Sequence, residues 1–200
     1  MSDIMVVSRK DLFDDQNFFT GFQPHSDQDF LARILKHCQW MERSVAESDP
    51  AYKQPIAYTV ILSVDGKVYA YQRSKTDEAY PEKRLQGKFS WGLGGHIKPI
   101  DKNPALNLIS ASMRRELEEE IGGNCDLQSA KLLGYINLEY GVHAVHFGLL
   151  YIIKTSLIVI RPKDPEIISG DFKSLSDLEN LPDVEEWSKV ALDPLKNHCR

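Results

Sequence analysis

Glu116, Glu119 and Glu120 are three carboxylates at offsets i, i+3 and i+4. On a helix those offsets place all three on one face, within roughly 100° of arc. Like charges stacked so closely repel, and a cation that bridges them removes the repulsion. Hard oxygen ligands in such a cluster suit Mg²⁺ or Mn²⁺, which usually keep several waters and meet substrate phosphates. The spacing therefore points to a divalent-cation site that handles a phosphorylated substrate. A Glu-rich helix face is as often a solvated surface. What surrounds the carboxylates must decide.

Upstream, Gly92-Leu93-Gly94-Gly95-His96 is a glycine-rich turn, able to bring backbone close to a ligand. Asn103-Pro104 reads as a helix start, with Asn as N-cap and Pro at the first helical position. Ala105, Leu106, Ile109, Met113, Leu117 and Ile121 follow as an apolar stripe at three- and four-residue spacing. Gly122-Gly123 is a C-terminal stop. The order is glycine turn, helix, acidic cluster, glycine stop. The stripe pins the helix to a core and leaves the carboxylates beside the glycine turn.

That order resembles the signature of the Nudix hydrolase family: Gly, five residues, Glu, seven residues, then Arg-Glu-aliphatic-any-Glu-Glu-any-Gly-aliphatic. Arg115 through Gly122 match its second half. Gly123 stands where the family has an aliphatic residue, and Asn107 where it has Glu. Gly95 lies 20 positions before Arg115 rather than 14, an insertion of about six residues within 96–108. Residues 52–58, Arg84-Leu85 and Ser90 to Ile97 are also similar to a bacterial Nudix subgroup described as predicted phosphoesterases.

The resemblance implies an α/β fold, a Nudix-like α/β/α sandwich with a mixed β-sheet. It implies Mg²⁺, or Mn²⁺, held by Glu116, Glu119 and Glu120, with the Gly95 carbonyl as a further ligand. Arg115 is expected to pair with Glu116 or a neighbouring carboxylate and fix its rotamer. Phosphate and pyrophosphate hydrolysis requires charge neutralisation and an aimed water. The general base is open between Glu139, Glu166 and a carboxylate of the cluster, Glu119 or Glu120. Arg73, Arg84 and Lys88 flank the glycine turn and are candidates for phosphate contacts, with solvated loop charges as the equal alternative. His96 is a candidate substrate contact. Tyr71, Phe89 and Trp91 suit ring stacking or, more commonly, a core. His143 and His146 are read on opposite faces of one strand, with His146 packed or hydrogen-bonded.

The chain has 200 residues, 42% of them hydrophobic, enough for one substantial core. One domain over 1–200 is expected, with residues 1–50 an extension packing on it. The net charge of −5 argues against a broad grip on nucleic acid. Cys38, Cys125 and Cys199 lack metal-ligand spacing and read as reduced thiols of a cytoplasmic protein. No apolar run approaches the roughly 20 residues that span a bilayer.

The elements read as follows. Residues 4–7 form a strand, and Ser26 to Asp29 open a helix whose stripe runs from Phe30 to Val45. A type I′ hairpin turns at Asp65-Gly66, with Tyr58, Val60, Leu62 and Val64 alternating onto one face. Strands follow over 132–138, 142–154 and 157–160, then helices from Ser174 and Asp183.

The leading reading is a Mg²⁺-dependent hydrolase of a diphosphate linkage in a nucleoside diphosphate derivative, a pyrophosphohydrolase with a small phosphorylated substrate. Isoprenoid diphosphate isomerisation is disfavoured because no Cys lies in the glycine turn. The alternative is a catalytically inactive ligand-binding or regulatory module on the same fold, suggested by Asn107 and the insertion. A homodimer is compatible with the family.

Overall fold

A computed structural model of the chain describes residues 2–14, 16–76, 85–123 and 125–199. The chain divides into two compact units. One holds Met1–Tyr58, Gly94–Met113 and Leu132–Tyr151; the other holds Thr59–Leu93, Arg114–Lys131 and Ile152–Arg200.

In the first unit, β1 (Asp3–Ser8) leads through α1 (Arg9–Phe13) and β2 (Gly21–Pro24) to α2 (Phe30–His37), β3 (Gln39–Glu42) and α3 (Arg43–Ala46). β4 (Tyr52–Ser63) begins here. β1 pairs antiparallel with β3, Ile4 opposite Met41, and with β4, Val7 opposite Lys53. β7 (Asp126–Asn137) and β8 (His146–Thr155) complete the strand order β2-β7-β8-β4-β1-β3. The N-terminal segment thus supplies strands to the sheet. Its core is aromatic: Phe13 and Phe30 meet Phe147 edge-on, with ring centroids 5.9 and 5.6 Å apart. Such contacts add about 0.5–1.5 kcal/mol each beyond area burial.

In the second unit, β4 pairs with β5 (Val68–Arg73), Leu62 opposite Val68. β5 also pairs antiparallel with β6 (Phe89–Ser90) and with β9 (Ile167–Lys173). α5 (Leu175–Glu179) and α6 (Glu186–His198) close the chain. α4 (Leu108–Ile121) starts in the first unit and ends in the second. The fold is the expected α/β one, with a large sheet and helices.

Several local expectations are corrected. The hairpin turn is not type I′, because Gly66 has positive φ but Asp65 does not. The amide of Gly66 donates to the Ser63 carbonyl at 3.0 Å and that of Ser63 to Lys67 at 2.9 Å, a three-residue connection ending in a left-handed glycine. β4 is buried on both faces rather than alternating, and Val64 is exposed. The helix opened by Asp29 stops at His37, so Met41 lies in β3 and Val45 is exposed. Residues 157–160 are not a strand, whereas β9 was not anticipated. His143 lies in a 3₁₀ turn, Gly141–Val145, so only His146 is a strand residue. Among the described residues no helix is long and apolar enough to cross a membrane.

Candidate functional site

α4 starts later than its sequence suggested. Residues 103–106 make a turn, with the Ala105 amide on the Asn103 side chain at 2.8 Å. Asn107 then caps the helix: its side-chain oxygen accepts from the Ser110 amide at 2.9 Å, and its carbonyl from Ala111 at 3.0 Å. The residue that departs from the Nudix pattern therefore has a local structural task. Ile109, Met113, Leu117 and Ile121 are buried. The helix ends where Gly122 and Gly123 adopt φ of +82° and +71°, and the Gly123 amide donates to Leu117 at 3.0 Å. The Glu120 carbonyl accepts from the Lys163 amide at 2.7 Å, which ties that end to the segment before β9.

The acidic residues flank the stripe: Glu116 follows Ile109 by seven residues, and Glu120 lies beside Met113 on the helical wheel. Arg115 Nη1 lies 2.5 Å from Glu116 Oε1 and 3.1 Å from Glu119 Oε2, so one guanidinium bridges two of the three carboxylates. Glu116 is largely covered, and the Glu119 side chain is 53% exposed. Glu118 pairs with Lys163 at 3.0 Å on the surface. The charge of Glu120 reaches β5. Burial first, and then that charge, push the Tyr69 hydroxyl up to about 12. Burial first, then the charges of Glu185 and Glu120, hold the Tyr71 hydroxyl well above its usual value against Arg73 and Ser90.

Arg73, a candidate phosphate contact, is committed to a buried network. Its Nε lies 3.1 Å from Glu185 Oε2, and its guanidinium sits 5.4 Å from the Tyr71 ring centroid. Glu185 accepts from the Ser90 hydroxyl at 2.5 Å, and the Trp91 amide donates to Ser188 at 3.1 Å. The Tyr71 hydroxyl donates to the Gly92 carbonyl at 2.7 Å. This network fixes the strand entering the glycine turn. Nothing in the spacing around Glu185 announced it. The only signal was an acid beside Val184 and Trp187, both buried. Lys88 is half-buried, and its carbonyl accepts from the Arg73 amide at 3.0 Å. Arg84 lies outside the described residues. Phe89 is half-buried in β6; Tyr71 and Trp91 are core.

In the first unit Gly94 has φ +146°, and a Cβ there would stand 2.1 Å from the Ala57 carbonyl oxygen. Only glycine permits that approach. Gly95 is half-buried. His96 Nε2 lies 2.7 Å from Gln54 Oε1 and 3.3 Å from His146 Nε2. Burial depresses the His146 pKa, against the opposing effect of its bond to the Val142 carbonyl. Glu139 Oε1 pairs at 3.0 Å with the buried Lys53 and Oε2 at 2.8 Å with Arg9. A carboxylate held by two cations is an anchor more than a proton acceptor. Glu166 sits in the turn before β9, where its carbonyl accepts from the Ser74 amide at 2.7 Å. An open cleft of about 500 Å³ is lined by Leu35, Lys102–Pro104 and Leu106–Leu108, and none of the expected ligands or phosphate contacts lines it.

Among the described residues no group of three or more His, Cys, Asp or Glu side chains is already drawn together as a metal centre. The donor chemistry on α4 nonetheless fits a hard divalent cation. All three candidates are carboxylates, and a guanidinium already compensates two of them. The Tyr69 hydroxyl, within reach of the Glu120 charge, is buried with no hydrogen-bond partner among the described residues.

No protein-family model matches the chain. Protein YmaB of Bacillus subtilis is 33% identical over 208 residues, covering 96% of this chain and 97% of YmaB. The crystal structure of Tm1382, described as a candidate Nudix hydrolase, is 28% identical, covers 98% of this chain and 99% of that one, and superposes with a TM-score of 0.80. A bifunctional NMN adenylyltransferase/ADP ribose pyrophosphatase from Francisella tularensis, complexed with AMP and a Mn ion, shares the fold: TM-score 0.54, 17% identity, 74% of this chain and 42% of that one. The carboxylate-bearing helix, the glycine turn and the near-complete superposition on Tm1382 agree: this chain belongs to the Nudix family.

Proposed function

We propose that the chain is a divalent-cation-dependent hydrolase that cleaves a diphosphate linkage in a nucleoside diphosphate derivative. The observation that carries this reading is the Arg115 bridge between Glu116 and Glu119 on one face of α4. It joins two of the three carboxylates of a helix that Ile109, Met113, Leu117 and Ile121 anchor in a core, and so supports their acting together.

Glu116, Glu119 and Glu120 would hold Mg²⁺ or Mn²⁺. Such an ion, when bound, neutralises phosphate charge and makes a water easier to deprotonate. Arg115 keeps Glu116 in one rotamer and stays within reach of Glu119. Glu119, the more exposed of the bridged pair, takes the proton of the attacking water in this proposal. Glu139 is not given that role, because Lys53 and Arg9 occupy it. Of the three candidate phosphate contacts, Lys88 and Arg84 keep that assignment. Asn107 gives no support to an inactive module, since its substitution for Glu is accounted for by helix capping.

The test is phosphate or nucleotide release by the purified chain from a panel of diphosphate compounds, with Mg²⁺, with Mn²⁺ and with chelator. The AMP and Mn ion in the Francisella fold neighbour make adenosine diphosphate linkages and Mn²⁺ the first members to try. Turnover that needs the ion and yields two phosphorylated products supports the reading. A folded chain that binds panel members but turns none over supports the binding module.

A further inference from the structure

The His96–His146 contact belongs to none of the chemistry above. Three strands or strand-like segments bring its members together: Gln54 on β4, His96 on the segment that bridges to Ile56 of β4, and His146 at the start of β8, the neighbour of β4. The two Nε2 atoms are 3.3 Å apart, and Gln54 Oε1 is 2.7 Å from His96 Nε2. The rings are tilted by 45°, with centroids 5.4 Å apart, so this is an approach of nitrogen to nitrogen rather than a stack.

The tautomer of one partner follows from its other nitrogen. His146 Nδ1 is 2.6 Å from the Val142 carbonyl oxygen, which can only accept. Nδ1 therefore carries the proton, and in the neutral ring Nε2 presents a lone pair. That lone pair faces His96 Nε2, which also faces Gln54 Oε1. A single N–H on His96 Nε2 serves one of the two acceptors well, and 3.3 Å is long for a hydrogen bond of this type, usually about 2.7–3.2 Å. The Gln54 side-chain nitrogen is buried with no partner among the described residues, so turning the amide round exchanges one orphan for another.

A cation satisfies the two facing nitrogens as they stand, and the Gln54 oxygen, 2.7 Å from His96 Nε2, joins them by drawing back about 0.6 Å. Two ligand nitrogens about 2.0–2.1 Å from a tetrahedral centre stand about 3.3 Å apart, the separation found here. The Nδ1–H bond to a backbone carbonyl is the outer support that metal-binding imidazoles commonly have. Imidazole nitrogen with an amide oxygen selects borderline ions such as Zn²⁺ over Mg²⁺. We propose that His96, His146 and the Gln54 oxygen form a second cation site, for an ion of the Zn²⁺ class, with water completing its shell. An ion there pins the residue after Gly95 to β4 and β8, and so sets the backbone of the glycine turn.

The test uses the full-length chain, stripped by chelator and then saturated with Mg²⁺ so that hard carboxylate ligands are occupied. Co²⁺ and Zn²⁺ are titrated in, with Co²⁺ read by its visible absorption and Zn²⁺ by calorimetry. The expected result is one tight site per chain, weakened at least about tenfold by either His96→Ala or His146→Ala, since losing even an outer-shell partner costs about 10–100-fold. Glu119→Gln/Glu120→Gln should leave it in place. Imidazole ¹⁵N shifts of the wild type cover the case in which a variant does not fold: Zn²⁺ should move the Nε2 resonances of two histidines. Absence of Co²⁺ or Zn²⁺ uptake, or uptake that survives both His variants and is lost with the carboxylates, would overturn the proposal and leave a hydrogen-bonded pair.

Discussion

Lys53 Nζ lies 3.0 Å from Glu139 Oε1 although the lysine is wholly buried. The same ammonium donates to the Ala144 carbonyl at 2.7 Å, so one cation clips the 138–145 segment onto β4. Removing one member of a fully buried pair costs about 3–5 kcal/mol. Glu139→Gln should cost less, about 2–3 kcal/mol, because Lys53 keeps its carbonyl and Glu139 is partly exposed. Denaturant unfolding measures this. Turnover of the folded variant should persist; its abolition with stability intact would make Glu139 the general base.

The pair also sets a pH dependence. Burial pushes the Glu139 carboxyl up, but the Lys53 hydrogen bond and charge, with Asn137 and Arg9, outweigh it and hold its pKa below the usual value. A carboxyl depressed in the folded state stabilises above its unfolded pKa, and that stability is lost as pH falls through the folded one. Thermal melts between pH 6 and pH 3, an arbitrary range of roughly three units around the carboxylate region, should show the wild type losing its advantage over Glu139→Gln on the acid side.

Asn107 caps α4 through the Ser110 amide at 2.9 Å. Asn107→Ala should cost about 1 kcal/mol and Asn107→Asp much less, since Asp caps equally well. If Asn107→Ala left stability untouched but abolished turnover, the residue would belong to the chemistry instead of the helix end.

Gly94→Ala places a methyl 2.1 Å from the Ala57 carbonyl oxygen at a φ that side chains rarely adopt. The backbone must move, and a loss of about 3 kcal/mol or more is expected. Calorimetric melting of the variant checks it; a melting temperature within a degree or two of wild type would show a turn looser than described.

The acidic helix was legible because its periodicity and its spacing are local. Ile109 to Ile121 bury as the stripe required, and Gly122-Gly123 stop the helix. Its start was misread because Asn103-Pro104 and Asn107 both offer capping chemistry, and only the fold chooses between them. β9 escaped notice because Ser169, Gly170 and Asp171 read as turn residues, yet β5 supplies their ladder partners. Arg73 and His96 are candidate substrate contacts by their nearness to the turn in sequence. Their partners, Glu185 and His146, lie 112 and 50 residues away, and no short-range pattern encodes such pairings.

The central claim rests on the carboxylates of α4. The direct measurement is Mg²⁺-dependent turnover of the best panel substrate by wild type, Glu119→Gln and Glu120→Gln, each shown to be folded. Charge stabilisation removed at the reacting centre should lower turnover by roughly a hundredfold or more in both variants. Turnover undiminished in both would contradict the account and place the chemistry elsewhere in the chain.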